Sequence, residues 1–434
     1  MTSLCSSEDN YYRRSVVRHS PQPSLDGGAA AEVCVVGGGL AGLTAALTMA
    51  RSGAQVVLLE SATIAWGASG RNGGFVSPGY STGFANIARR VGESSANELH
   101  RLSIEGMRIV RQNIDTLSMR GVDPVHGILH TARTDNPTAQ RRNRDWLQQK
   151  FDYPVQFVAK KELRDQVKSD KYFHALLDEN AFHFHPVNYA LGLVAELQRL
   201  GAVIHEQTQA CKIHRVGTNF NVKTAHGTVV AESVLVACGG YTDALVPKLR
   251  RSYIPITTFV LVTEPTGPRL ADTIRTTAAI GDSRRASDYY RLVENGTRLL
   301  WGGMISTRRD MPANTGDRLV RRIVDTYPQL AGIGVDCVWA GKMAYARHLM
   351  PQIGELEPGL WYCTGFGGHG MNTTAIGGTV VAEAILGHSD RYKMFAPFGL
   401  VWNGNVIGRA AVQATYWSYQ LMDFLKERAS NSRK

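Results

Sequence analysis

The chain contains no window of eighteen uncharged apolar residues, so no segment reads as a membrane-spanning helix. No apolar core follows the early arginines Arg13, Arg14 and Arg18, and Glu8 and Asp9 stand beside them, which argues against a secretory leader. Cysteine is scarce, six in 434 residues, with no C-x-x-C pair. Cys34 and Cys238 fall inside apolar strands, where cysteine acts as a small hydrophobe. This usage predicts a reducing cytoplasm. Internal repeats and low-complexity tracts are absent. Basic residues outnumber acidic ones, 48 to 37, for a net charge of +11. They recur as doublets at 89–90, 160–161, 250–251, 284–285, 308–309 and 321–322, never as a run of five or six. That pattern describes a solvated basic surface and gives no reason to expect nucleic acid. An anionic cofactor or substrate would also gain from it.

Glycine is abundant, at 44 residues, and much of it is clustered at 37–42, 67–74, 302–303 and 365–370. The first cluster is the most informative. Residues 33–42 read VCVVGGGLAG, an apolar strand running into a G-x-G-x-x-G turn and then a helix. Gly37 permits the tight turn, Gly39 lets backbone approach a pyrophosphate, and Gly42 lets helix and strand pack closely. The helix N-terminus, with Leu40 and Ala41 in its first turn, offers N–H groups and a positive dipole end to phosphate. Residues 43–52 continue the helix, Gly53 ends it, and AQVVLL (54–59) forms the next strand. Glu60 closes that strand eighteen residues beyond Gly42, where a carboxylate accepts from a ribose diol. A bound dinucleotide follows from this context.

The rest of the chain alternates. Residues 94–119 carry a helical stripe through Leu99, Leu102, Val110, Ile114 and Leu117, followed by a strand at 128–132 and a helix near 136–150. His185-Pro186 starts a second helix that Gly201 ends, followed by a strand at 202–207, a hairpin, and the apolar strand 233–238 ending at Gly239. From about 253 to 310 long strands take over, with an Asn295-Gly296 turn, as in an antiparallel sheet. A helix near 316–327, strands at 335–346 and 359–366, and a small-residue helix complete the pattern. The fold class expected is α/β, a dinucleotide-binding Rossmann-like domain interleaved with an antiparallel-sheet (α+β) substrate domain. The boundaries expected are an arm at 1–30, the dinucleotide domain at 31–85, 183–245 and 341–390, the substrate domain at 86–182 and 246–340, and a tail and helix at 391–434.

Two further glycine clusters carry chemistry. GASGRNGG (67–74) leaves backbone free to lie along a flat ligand, with Arg71 supplying fixed donors. GFGGHGMN (365–372) precedes a helix and forms a second anion-favouring N-terminus. His369 either touches the ligand there or only caps the helix. The alternation at 288–291 points two of Asp288, Tyr289, Tyr290 and Arg291 toward a pocket. Tyr289 and Arg291 are the substrate-contact candidates, with plain sheet packing as the alternative. His183 and His185 alternate on a strand, but no carboxylate or cysteine completes a metal set, and no metal is expected.

These motifs, with HxHPxN (183–188) and DYYRL…LLWGG (288–303), resemble the D-amino-acid oxidase-type family of FAD oxidoreductases over nearly the whole chain. The likeness implies that Gly37, Gly39 and Gly42 hold the pyrophosphate and Glu60 the adenosine ribose. Ser69, Arg71, Asn72, Gly73 and Gly74 would lie along the ribityl–flavin half. Cys211 would meet the adenine through its backbone, and Ala237, Cys238 and Gly239 would close against the ADP half. Gly367, Gly368, His369, Gly370 and Met371 would line the flavin edge. The chain also departs from its relatives. Met343-Ala344 stands where sarcosine oxidases tether the flavin through cysteine, which implies non-covalent FAD. Glycine oxidases place a carboxylate-binding arginine in the same segment, where this chain has only Arg347, farther along. Strand 254–264 lacks the lysine that relatives use for oxygen reactivity.

The activity expected is oxidation of a primary or secondary amine, a polyamine derivative or amino acid, with O2 or another electron acceptor regenerating the cofactor. Three alternatives stay open: a quinone- or carrier-linked FAD dehydrogenase of an amino or hydroxy acid, a flavin-dependent tRNA-modifying oxidase, and a non-catalytic flavin-binding protein.

Overall fold

The computed structural model describes residues 9–285, 287–307 and 312–431. Cys5 and the Arg308-Arg309 doublet lie outside them. Two sheets organise the chain. The first has eight strands, built around Gly27–Val36 with Gly227–Val236 and Val56–Leu59 as parallel neighbours. Leu360–Thr364 extends it on one side, parallel to Gly227–Val236, and Val203–His205 on the other, parallel to Val56–Leu59. Strands buried on both faces read as continuous apolar runs, which is why VCVV and VVLL appear in the sequence without alternation. The hairpin Lys212–Val216 and Asn219–Lys223 pairs onto Gly227–Val236, so the apolar run at 233–238 is the second half of one long strand.

One face of this sheet is covered by helices Leu40–Arg51, Glu93–Thr116, Pro186–Arg199 and Gly370–Ile385, whose apolar stripes form the largest core. The helix Gly370–Ile385 comes very close to Leu40–Arg51. A Cβ on Gly378 would lie 2.7 Å from the carbonyl oxygen of Ala41. The stripe at 94–119 therefore packs with the dinucleotide-type sheet.

The second sheet has nine strands, including Tyr253–Thr263, Arg298–Ser306, Tyr289–Val293 and Val335–Ala346. Its pairings are antiparallel except where Ala279–Asp282 meets Val125–Ala132 in parallel. Val335–Ala346 stays in this sheet through Ala346, across the boundary expected at 341. Its core stacks Tyr290 on Trp301, centroids 4.1 Å apart, beneath helix Thr315–Thr326.

The arm is not wholly a surface feature. A short helix, Tyr11–Arg14, buries Tyr11 and Tyr12, and Tyr12 packs edge-on against Trp339 and His185. The first strand then begins at Gly27, inside the stretch expected to be arm. Two aromatic residues in a polar segment were the signal, because burying each removes a large apolar area from water. Cys34 and Cys363 are buried free thiols. No helix among the described residues is long and apolar enough to cross a membrane.

Candidate active site

The first strand delivers its glycine turn at its carboxyl end, where open α/β sheets bind ligands. Gly37 has φ +116, a conformation that favours glycine, and its N–H donates to Leu59 O at 2.8 Å. Gly39 is the N-cap of Leu40–Arg51. A side chain on Gly42 would run into the carbonyl oxygen of Gly37, so this glycine serves the close packing of turn and helix. Glu60 follows the second strand. Its Oε2 accepts from Gly38 N at 2.7 Å and its Oε1 from Ala62 N at 2.8 Å. Burial pushes this carboxyl above its ordinary pKa, opposed by those two backbone donors.

The second glycine segment is braced onto the first. Ser69 Oγ accepts from Leu40 N at 3.0 Å. Asn72 holds the loop shut, donating to Ala68 O (3.0 Å) and Ser69 O (2.8 Å) and accepting from Gly74 N (2.7 Å). Arg71, buried, donates through Nε to Trp66 O at 2.7 Å and through a terminal nitrogen to Ala340 O at 3.2 Å, and it lies over the Trp66 ring. Gly73 lets the Tyr289 ring pass, since a Cβ there would come within 2.7 Å of that ring.

The third segment leads into helix Gly370–Ile385, with His369 as its N-cap residue. The His369 side chain does not cap that helix. Its Nε2 donates instead to Ser77 O (3.0 Å) and Pro78 O (3.1 Å), while its backbone N–H donates to Ser81 Oγ (3.1 Å). Burial holds its pKa below the usual histidine value. A neutral ring with the proton on Nε2 satisfies both carbonyls.

All three segments line one cavity of about 1600 Å³. This exceeds the ~300–1,000 Å³ typical of a pocket for a single small ligand. Its walls include Gly37, Gly39, Leu40, Ala41, Glu60, Ser69, Arg71, Asn72 and Gly73. Cys211, Cys238, Gly239, Gly367, Gly368, His369, Gly370, Met371 and Tyr289 line it too. Gly42, Gly74 and Arg291 do not. Gly74 has φ +77 and sits against Phe184 O. Arg291 is buried and spent on Gly73 O (2.8 Å), His183 Nδ1 (3.1 Å), Tyr12 Oη (3.2 Å) and Phe184 O (3.0 Å). It stands on the same strand face as Tyr289, two residues farther along and outside the cavity, which corrects the expected substrate contact. Cys211 reaches the lining, but its N–H donates to Lys223 O at 2.7 Å, leaving its carbonyl for any ligand. His183 ends a strand whereas His185 caps the next helix, accepting from Asn188 N, so the two do not share a strand face.

Several lining residues escaped the sequence reading. Lys342 sits on Val335–Ala346, with its ammonium 4.9 Å from the centre of the Tyr241 ring. It pairs with Thr257 on the neighbouring strand, which itself carries no lysine. His130 opens to the lumen, and the enclosing walls hold its pKa down to about 4. Tyr345, Tyr416 and Tyr419 complete the wall, the last two from the C-terminal helix.

Two helix N-termini, a ribose-type carboxylate and glycine-walled backbone meet in one elongated cavity, a donor set that fits FAD. The arrangement is that of a dinucleotide-dependent oxidoreductase. The chain belongs to the DAO family, whose model, described as FAD dependent oxidoreductase, matches residues 32–384. It is 33% identical over 391 residues to gamma-glutamylputrescine oxidoreductase of Escherichia coli, covering 89% of this chain and 91% of that one. It is 32% identical to a Haemophilus influenzae protein named probable oxidoreductase OrdL, covering 91% and 92%. The fold is similar to that of glycine oxidase from Geobacillus kaustophilus, with TM-score 0.72 at 20% identity over 86% of this chain and 99% of that one. The protein is thus an enzyme, an FAD-dependent oxidoreductase.

Proposed function

We propose that the enzyme oxidises a primary or secondary amine, a polyamine derivative or amino acid, at the carbon beside nitrogen. The observation that carries this reading is the single cavity joining the glycine turns to the second sheet. The relative whose name specifies a putrescine derivative supports the amine class. Bound FAD would accept a hydride from that carbon and pass the electrons to O2, giving hydrogen peroxide, while water hydrolyses the imine.

The chain's own residues supply position and charge. In this reading Gly37 and Gly39, with the helix behind them, hold the pyrophosphate, and Glu60 holds the adenosine ribose. Gly73, Gly367, Gly368 and Met371 leave room for a flat ring, and Tyr289 and Tyr345 wall the substrate space. Met343 and Ala344 line the cavity and offer no thiol, so the cofactor is held without a covalent link. Arg71, Arg285, Lys342 and Arg347 outnumber Glu60, Asp243 and Asp282 in the walls, and Asp282 is paired with Arg133 and Arg284. A positive lumen disfavours an ammonium and so favours the neutral amine that hydride loss requires. No side-chain base is needed. In this reading Lys342, on the cavity wall, assists reduction of an acceptor such as O2.

A panel of amines and amino acids tested with an oxygen electrode and, in parallel, with dichlorophenolindophenol decides the reading. Amine-dependent oxygen uptake with peroxide supports it. Dye reduction without peroxide replaces oxidase with dehydrogenase, and no response to any amine refutes it.

A further inference from the structure

The C-terminal helix Asn405–Asn431 has two unlike faces. Its inner face buries Tyr416 and Asp423, adds Tyr416 and Tyr419 to the cavity wall, and accepts through Gln413 from Thr307 N at 3.2 Å. Glu427 turns the same way, 3.7 Å from Arg133 and 3.9 Å from Arg284. The outer face is apolar. Val406, Trp417, Leu421, Phe424 and Leu425 are 78%, 62%, 59%, 51% and 55% exposed. From Trp417 onward they recur three and four residues apart, as one continuous stripe.

The exposed charges of this helix have one sign, and Arg428 lies on the stripe itself, over the Phe424 ring. Lys426 and Arg428 are exposed, while both acidic residues of the helix, Asp423 and Glu427, belong to the inner face. Next to the helix start, Trp402 is exposed, and the N–H of Asn403 donates to the carbonyl of Arg251, whose side chain is also exposed. Apolar and aromatic side chains on a helix whose exposed charges are all cations match an anionic lipid interface.

We propose that the outer face of the C-terminal helix docks this enzyme on an anionic bilayer surface, lying in the interface and not crossing it. The cavity wall built by the same helix then rests beside the lipid.

Flotation of the FAD-loaded, full-length protein tests this, with vesicles of phosphatidylcholine alone or mixed with phosphatidylglycerol. The protein should float with the anionic vesicles at low salt and stay down with the neutral ones. Trp417→Ser/Leu421→Gln/Leu425→Gln should abolish flotation. Lys426→Glu/Arg428→Glu should lower it at least about tenfold, given the contribution expected per charge. Both variants should keep wild-type flavin content, which shows that they are folded. A wild-type protein that ignores anionic vesicles, or variants that float equally well, would overturn the proposal. A dimer in light scattering that the triple variant splits would overturn it too, making the stripe a subunit interface.

Discussion

Ser69 Oγ accepts the backbone N–H of Leu40 at 3.0 Å, so the second glycine loop is fastened to the first turn of the helix that the first loop begins. A Cβ on Gly39 would already lie 3.1 Å from that same oxygen. Gly39→Val should therefore push the loops apart, place branched carbon in the cavity, and abolish flavin content on purification. Glu60→Gln presents an amide N–H to a backbone donor and should weaken FAD binding by only about 1–2 kcal/mol. Absorbance of the purified variants checks both, and full flavin content in Gly39→Val would disprove the phosphate-cradle assignment.

His369 reaches the lumen while its ring nitrogen is anchored to the carbonyls of residues 77 and 78. A fixed helix N-terminus beside a ring gaining negative charge favours the reduced state. His369→Ala should slow amine-driven bleaching with FAD occupancy nearly intact, and His369→Asn, which keeps a donor, should recover part of the rate. Unchanged stopped-flow rates in the alanine variant would leave this histidine only its loop-anchoring role.

The buried histidines set a pH limit. Burial and the Arg291 guanidinium hold His183 down to about 3 and His185 to about 4. Both are neutral in the fold, whereas the unfolded chain takes up protons near pH 6.5. Stability is therefore full above about pH 6.5 and is lost progressively as pH falls toward 4. Urea midpoints at pH 7 and pH 5 should show the drop, which His183→Gln should make shallower. Equal midpoints would contradict the neutral assignment.

Because Met343 and Ala344 line the cavity and offer no thiol there, acid precipitation should release the yellow colour to the supernatant. Colour retained in the washed pellet would show a covalent link.

Much of this site was legible in the sequence because glycine spacing encodes backbone geometry directly. The turn at 37–42 and the segments at 67–74 and 365–370 carry their conformational demands in residue type, and all three meet at the cavity. Side-chain direction was less legible. Alternation on Tyr289–Val293 put Tyr289 and Arg291 on one face but not where along that face the cavity ends, so Tyr289 is a wall and Arg291 is a brace beyond it. Lys342 and His130 were missed because a lone lysine or histidine in an apolar strand carries no local signal. The C-terminal helix reaches the cavity only through tertiary packing.

The most direct test of amine oxidation is anaerobic mixing of the flavin-loaded enzyme with each of a panel of amines, amino acids and NADPH. The chain has one dinucleotide fingerprint, at 37–42, and none left over for a nicotinamide. Bleaching of the flavin band by at least one amine and not by NADPH is the predicted result. Bleaching by NADPH and by no amine would contradict the account.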